Sequence, residues 1–103
     1  MFKLIILLNK KDNMTEEQFS EYWLNIHSPI ARKMPGLRKY VVNVVKRRPN
    51  REPEYNGLVE LWFDDTDSMK KAFASSEGQL TQKDSETFTS KMTTLFIDEY
   101  PIN

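Results

Sequence analysis

His27 is the only histidine in the chain, and it follows Phe19 and Trp23 by eight and four residues. That spacing sets the imidazole at the border of an apolar helical stripe, near the C-terminal end of the helix where the dipole favours the protonated ring. Two roles fit the position. One is a general acid or base opening onto a pocket; the other is a ring that caps its helix by bonding a backbone carbonyl. Glu60 is the second candidate, because it sits in mid-strand with Leu58 and Trp62 as same-face neighbours, an awkward place for a charge without a partner or cavity. If Glu60, Trp62 and Tyr40 all point away from the helices, a carboxylate, an indole and a phenol surround one apolar ligand. The alternative is an edge glutamate in water, with Tyr40 and Trp62 as plain core. Tyr22 and Trp23 read as core.

Other chemistries have less support. Asp64, Asp65 and Asp67 resemble the start of a calcium loop, but the glycine and distant glutamate are missing, so they read as helix caps and no metal is expected. The absence of cysteine excludes disulfides, thiolate metal sites and a cysteine nucleophile. No glycine-rich phosphate loop and no nucleophilic serine motif occurs, which leaves hydrolase and nucleotide-dependent readings without a basis, and no cofactor is expected. Lys46, Arg47, Arg48 and Arg51 are balanced by Glu52 and Glu54, as in a solvated hairpin tip, with an anionic ligand as the alternative. Fifteen basic and fifteen acidic residues give a net charge of zero, so no field draws the chain to nucleic acid or to an anionic membrane. The apolar start, Met1 to Leu8, is too short to span a bilayer and lacks signal-peptide features. A cytoplasmic protein is expected.

These side chains need elements to position them, and 103 residues suffice for one domain, 1–103, with one core. Phe2 to Leu8 is an apolar run of strand formers. Thr15-Glu16-Glu17-Gln18 is a capping box, with Met14 placed to staple to Phe19. The helix it starts carries Phe19, Tyr22, Trp23 and Ile26 inward and should end near His27, because Pro29 disfavours helical geometry at Ser28. Ser28 and Pro29 then cap a short helical piece, Ile30 to Met34, stopped by Pro35-Gly36. Leu37 to Lys46 is a β-branched second strand and Gly57 to Phe63 a third, joined as a hairpin by a polar loop. A second helix has Met69, Ala72 and Phe73 inside, breaks near Gly78 and resumes through Leu80, Asp84, Phe88 and Met92. Leu95 to Ile102 closes as the fourth strand. The sum is an α+β, ferredoxin-like βαββαβ domain, a four-stranded antiparallel sheet with both helices on one face.

The other face should then be polar, yet the strands are apolar on both sides. Six or so large side chains there, at roughly 1.5–3 kcal/mol each, amount to about 10–18 kcal/mol of unrealised burial. The cheapest cover is a second copy packed sheet to sheet, so a homodimer is expected. The same element order occurs in RNA-recognition domains, but their third strand carries stacking aromatics. Here Gly57-Leu58-Val59-Glu60-Leu61 puts leucine and an acid in those places, which excludes that function.

Phe19-x-x-Tyr22-Trp23-x-x-x-His27-x-Pro29-x-Ala31, Pro35-Gly36-Leu37-Arg38-x-Tyr40-x-x-Asn43 and Glu60-Leu61-Trp62-Phe63 together resemble the EthD family, from the first strand to Phe88. The resemblance implies a dimeric α/β barrel, a homodimer whose sheets enclose a small-molecule pocket. It implies work in the oxidative breakdown of fuel ethers or the isomerisation of methyl-substituted muconolactones. By position, His27 matches the family histidine near the pocket, Tyr40 the tyrosine of the second strand, and Glu60 with Trp62 the acidic and aromatic pair of the third. Lactone-isomerising relatives use pocket cysteines and this chain has none, which points away from that reaction. The resemblance thus implies a small apolar or aromatic metabolite with His27 as proton shuttle and Tyr40, Glu60 and Trp62 as binding residues. An accessory protein that holds such a ligand for an oxygenase is the alternative.

Overall fold

The computed structural model describes residues 1–103, and its element order is β1 (Phe2–Lys10), α1 (Glu16–Tyr22), a π-helical turn (Trp23–His27), α2 (Ser28–Ala31), β2 (Lys39–Val44), β3 (Gly57–Phe63), α3 (Thr66–Ala74), α4 (Ser76–Phe88) and β4 (Thr89–Ile97). The strands form one antiparallel sheet in the order β2-β3-β1-β4. The helices cover one face only, as the ferredoxin-like expectation required.

Alternation in β1 and β3 divides the side chains cleanly. Leu4 and Leu8 on β1 and Val59, Leu61 and Phe63 on β3 are buried beneath the helices, with Phe19, Trp23, Met69, Ala72 and Phe88 from the helical layer. The Thr15–Gln18 capping box forms, each side chain bonding the other residue's amide. Asp65 caps α3 by accepting from the Ser68 amide. Ser75 ends α3 and caps α4. The break therefore lies at Ser75, not at Gly78, which is buried in the first turn of α4 where a Cβ would strike the backbone of Ala72 and Phe73.

Three other boundaries differ from the sequence reading. Ser28 keeps helical angles, φ −60° and ψ −41°, and its side chain caps nothing. Pro29 is tolerated because the turn before it widens: the Ser28 amide reaches back five residues to the Trp23 carbonyl. A regular α-helix would press the proline ring against the carbonyl of Asn25. The widened turn also redistributes the inner face, leaving His27 buried and Ile26 half exposed. In α4 the inward positions are Gly78, Thr81, Ser85 and Phe88, whereas Leu80 faces solvent. The fourth strand begins at Thr89 rather than Leu95, so Met92 belongs to a strand and not to the helix. The second strand is shorter than predicted, although Arg38 and Val45 extend its ladder by one bond each, to the carbonyls of Trp62 and Asn56.

Candidate functional site

The widened turn places the His27 ring between the helices and the sheet, in contact with Phe88 at a centroid distance of 4.8 Å. Its Nδ1 lies 2.9 Å from Oδ2 of Asp84 on α4, and Oδ1 of the same carboxylate accepts the Tyr22 hydroxyl at 2.8 Å. Nε2 has no protein partner, yet it is not sealed away from all contact with space. The ring borders a cavity of about 60 Å³ whose walls include Ile6, Trp23, Met34, Tyr40, Val59 and Phe73. A volume of that order holds one or two waters, or the reactive end of a larger ligand.

The environment sets the charge states. Burial pushes the His27 imidazole below its ordinary value of 6.5, and Asp84 opposes that shift without cancelling it. Desolvation is the largest cause of the shift, which runs opposite to the direction that the helix end led the sequence reading to expect. The helix-capping alternative does not hold, because Nδ1 meets a carboxylate rather than a backbone carbonyl. Burial raises Tyr40, whose hydroxyl lies 3.4 Å from Ser28 Oγ. It remains a phenol, able to donate to a ligand.

Tyr40 pairs with Leu61 in the sheet, and paired residues share a face. It therefore points toward the helices, beside His27, and away from Glu60 and Trp62. The joint pocket of Tyr40, Glu60 and Trp62 does not form, and Glu60 does not share a space with His27: the sheet stands between them. Glu60 and Trp62 instead belong to a charged cluster on the open face. Lys3 bridges Glu60 at 2.7 Å and Glu99 at 2.9 Å; Asn43 donates to Glu60 and the Trp62 indole donates to Glu99. The Lys3 and Lys39 ammonium groups lie 4.7 and 4.8 Å from the Trp62 ring centroid. Hydrogen bonds from Lys3 hold the Glu60 carboxyl below the usual carboxylate range. Around the cluster Ile5, Leu7, Val41, Leu58 and Ile97 stay half buried with no layer above them.

Asp84 is the member that sequence reasoning missed as a functional residue. It was visible as an acid on a stripe with Phe88, an arrangement that asks for a buried partner, but nothing local names His27 as that partner. Arg47 in the basic loop is held by Glu16 and Glu52, as a solvated hairpin tip would be.

Sheet, helices and a histidine–carboxylate pair at an interlayer cavity define a ferredoxin-like α+β domain with a candidate acid–base site. The chain belongs to the EthD family, whose EthD domain model matches residues 11–92. An EthD family protein from Bacillus halodurans is 30% identical and superposes with a TM-score of 0.81, covering 97% of this chain and 100% of that one. A dimeric ferredoxin-like protein of unknown function from Bacteroides fragilis matches at 16% identity and a TM-score of 0.71, over 95% of both chains. SnoaB, a cofactor-independent oxygenase from Streptomyces nogalater, shares the fold at 8% identity and a TM-score of 0.69, over 97% of this chain and 93% of that one. Among curated proteins none matches the sequence.

Proposed function

We propose that this EthD-family chain binds a small apolar or aromatic metabolite at the cavity beneath His27 and moves a proton on it, in the oxidative degradation or isomerisation of small organic compounds. The observation that carries the reading is the His27–Asp84 pair, whose ring borders an apolar cavity that Tyr40 also lines and whose Nε2 has no protein partner. In the reaction Nε2 takes a proton from the ligand, the imidazolium is stabilised by Asp84, and the proton returns at another atom or leaves to solvent. Tyr40 orients the ligand by hydrogen bonding. Met34 and Phe73 are among the side chains lining the cavity.

The working unit is a homodimer. Its support is the uncovered face of the sheet, where Ile5, Leu7, Val41, Leu58 and Ile97 surround the Lys3 cluster, together with the dimeric description of the Bacteroides fragilis protein of the same fold. In a sheet-to-sheet pair each protomer keeps its own His27 cavity on the outer side, and Lys3, Glu60, Trp62 and Glu99 lie in the space between the sheets.

The test is His27→Ala against a panel of lactones and aromatic metabolites. Turnover by the wild type that the variant loses supports the reading; equal turnover overturns the role of His27. Compounds that raise the melting temperature but remain chemically unchanged would favour the accessory ligand-holding protein.

A further inference from the structure

The His27 ring has two nitrogens, and which one carries the proton decides whether the cavity meets a donor or an acceptor. Asp84 Oδ2, 2.9 Å from Nδ1, is a side-chain oxygen placed to accept from that nitrogen, which favours hydrogen on Nδ1. The neutral ring then shows the cavity a bare lone pair at Nε2. Asp84 is itself held from the other side, since the Tyr22 hydroxyl donates to Oδ1 at 2.8 Å. Three residues from α1, the π-helical turn and α4 thus form one chain, Tyr22 to Asp84 to His27. The charged and titratable groups near His27 are few: Asp84 from α4, Tyr22 from α1, and Tyr40 across the cavity from β2. The strands' own charges, Lys3 and Glu60, are on the opposite face of the sheet.

We propose that Asp84 and Tyr22 are positioning residues that fix His27 as the Nδ1–H tautomer, so that the cavity accepts a proton and selects ligands offering a hydroxyl or an acidic C–H bond. This rests on the proposed role of His27 as the group that moves the proton. Tyr22 adds a second function. By donating to Asp84 it disperses the carboxylate charge, which weakens the pull of Asp84 on an imidazolium and keeps the ring neutral, with Nε2 free to accept a proton, in the resting protein. When His27 takes a proton from the ligand at Nε2, the N–H to Asp84 is kept, the ring becomes imidazolium and the ligand becomes an anion. No other reactant is needed for that step.

Because the chain has one histidine, its imidazole signals are unambiguous in nitrogen-15 NMR. The experiment follows the ring nitrogens of the ligand-free protein through a pH titration in wild type, Tyr22→Phe and Asp84→Asn. Expected are a protonated Nδ1 and an unprotonated Nε2 in the neutral wild type. Tyr22→Phe should move the His27 titration midpoint upward with the tautomer kept, and Asp84→Asn should lose the tautomer preference and move the midpoint down. A wild-type ring protonated at Nε2, or a Tyr22→Phe titration identical to wild type, overturns the proposal. The wild-type tautomer is read without any variant, so a misfolded Asp84→Asn protein does not remove the test. Turnover enters none of these readings, so the tautomer result and the metabolite panel can fail independently.

Discussion

The Trp23 indole fills the space where a Cβ would stand on Gly57, the first residue of β3. Trp23 is fully buried and opens the π-helical turn, so this contact seats the helix that carries His27 directly on the sheet. Any side chain at position 57 must push the indole or the strand aside. Gly57→Ala should cost about 2–3 kcal/mol of stability. Urea unfolding is the measurement, read as a lower midpoint at unchanged slope.

Phe88 joins the aromatic cluster to the site, its ring lying 5.5 Å from Phe19, 5.3 Å from Tyr22 and 4.8 Å from His27. Phe88→Ala should cost about 3–5 kcal/mol, since the void cannot be filled without moving both helices. Phe88→Leu keeps most of the volume and should fold, with the His27 proton resonances shifted by loss of the ring current. Resonances unchanged in Phe88→Leu would show that the two rings do not touch in solution.

Stability should depend on pH through His27 in a fixed direction. The folded imidazole titrates below 6.5, whereas the unfolded one titrates near that value. Between those points the unfolded chain binds more protons, so stability is fully present above the unfolded value and is lost as pH falls through the folded one. Thermal melts from about pH 7.5 down to about pH 5 should show a falling midpoint in wild type and a flatter one in His27→Gln. Glu60 and Glu99, held below 4.5 by Lys3, lose their contribution only in more acidic solution. An identical slope in the two proteins would remove His27 from the account.

On the open face, Lys3 is almost buried and neutralised by two carboxylates. Glu60→Lys leaves three lysines, at 3, 39 and 60, around Trp62 with only Glu99 to oppose them. In a sheet-to-sheet dimer that charge is trapped between the layers. Sedimentation at micromolar concentration should give a dimer for wild type and a monomer for Glu60→Lys. The His27 cavity, on the other side of the sheet, should keep its NMR signature in the variant.

The third strand was legible residue for residue, because Gly57 and the Asp64–Asp65 pair bound an apolar run with strict alternation. The first helix start was equally plain in the capping box. The fourth strand was obscured because Thr89 to Thr94 is a polar edge segment, with Thr89 alone buried, that continues the spacing of the helix before it. Facing in β2 was hidden for a different reason. Tyr40, Val41 and Val42 are apolar in succession, so the pattern does not say which side Tyr40 takes, and the answer depends on hairpin register. His27 was found from its spacing, but its partner Asp84 lies 57 positions away and only the packing of α4 on the π-helical turn brings them together.

The five-residue reach from Ser28 to Trp23 amounts to one residue of extra chain wound into a helix. Deleting Leu24, which is half exposed, would let the same Ser28-to-Trp23 bond close an ordinary α-helical turn with later residues in place, whereas tightening the turn at its present length would rotate every later residue by roughly 100° around the axis. The widened turn, as much as the identity of any side chain there, therefore decides where His27 faces: the same residues wound as plain α-helix would keep the histidine and carry it to the wrong side.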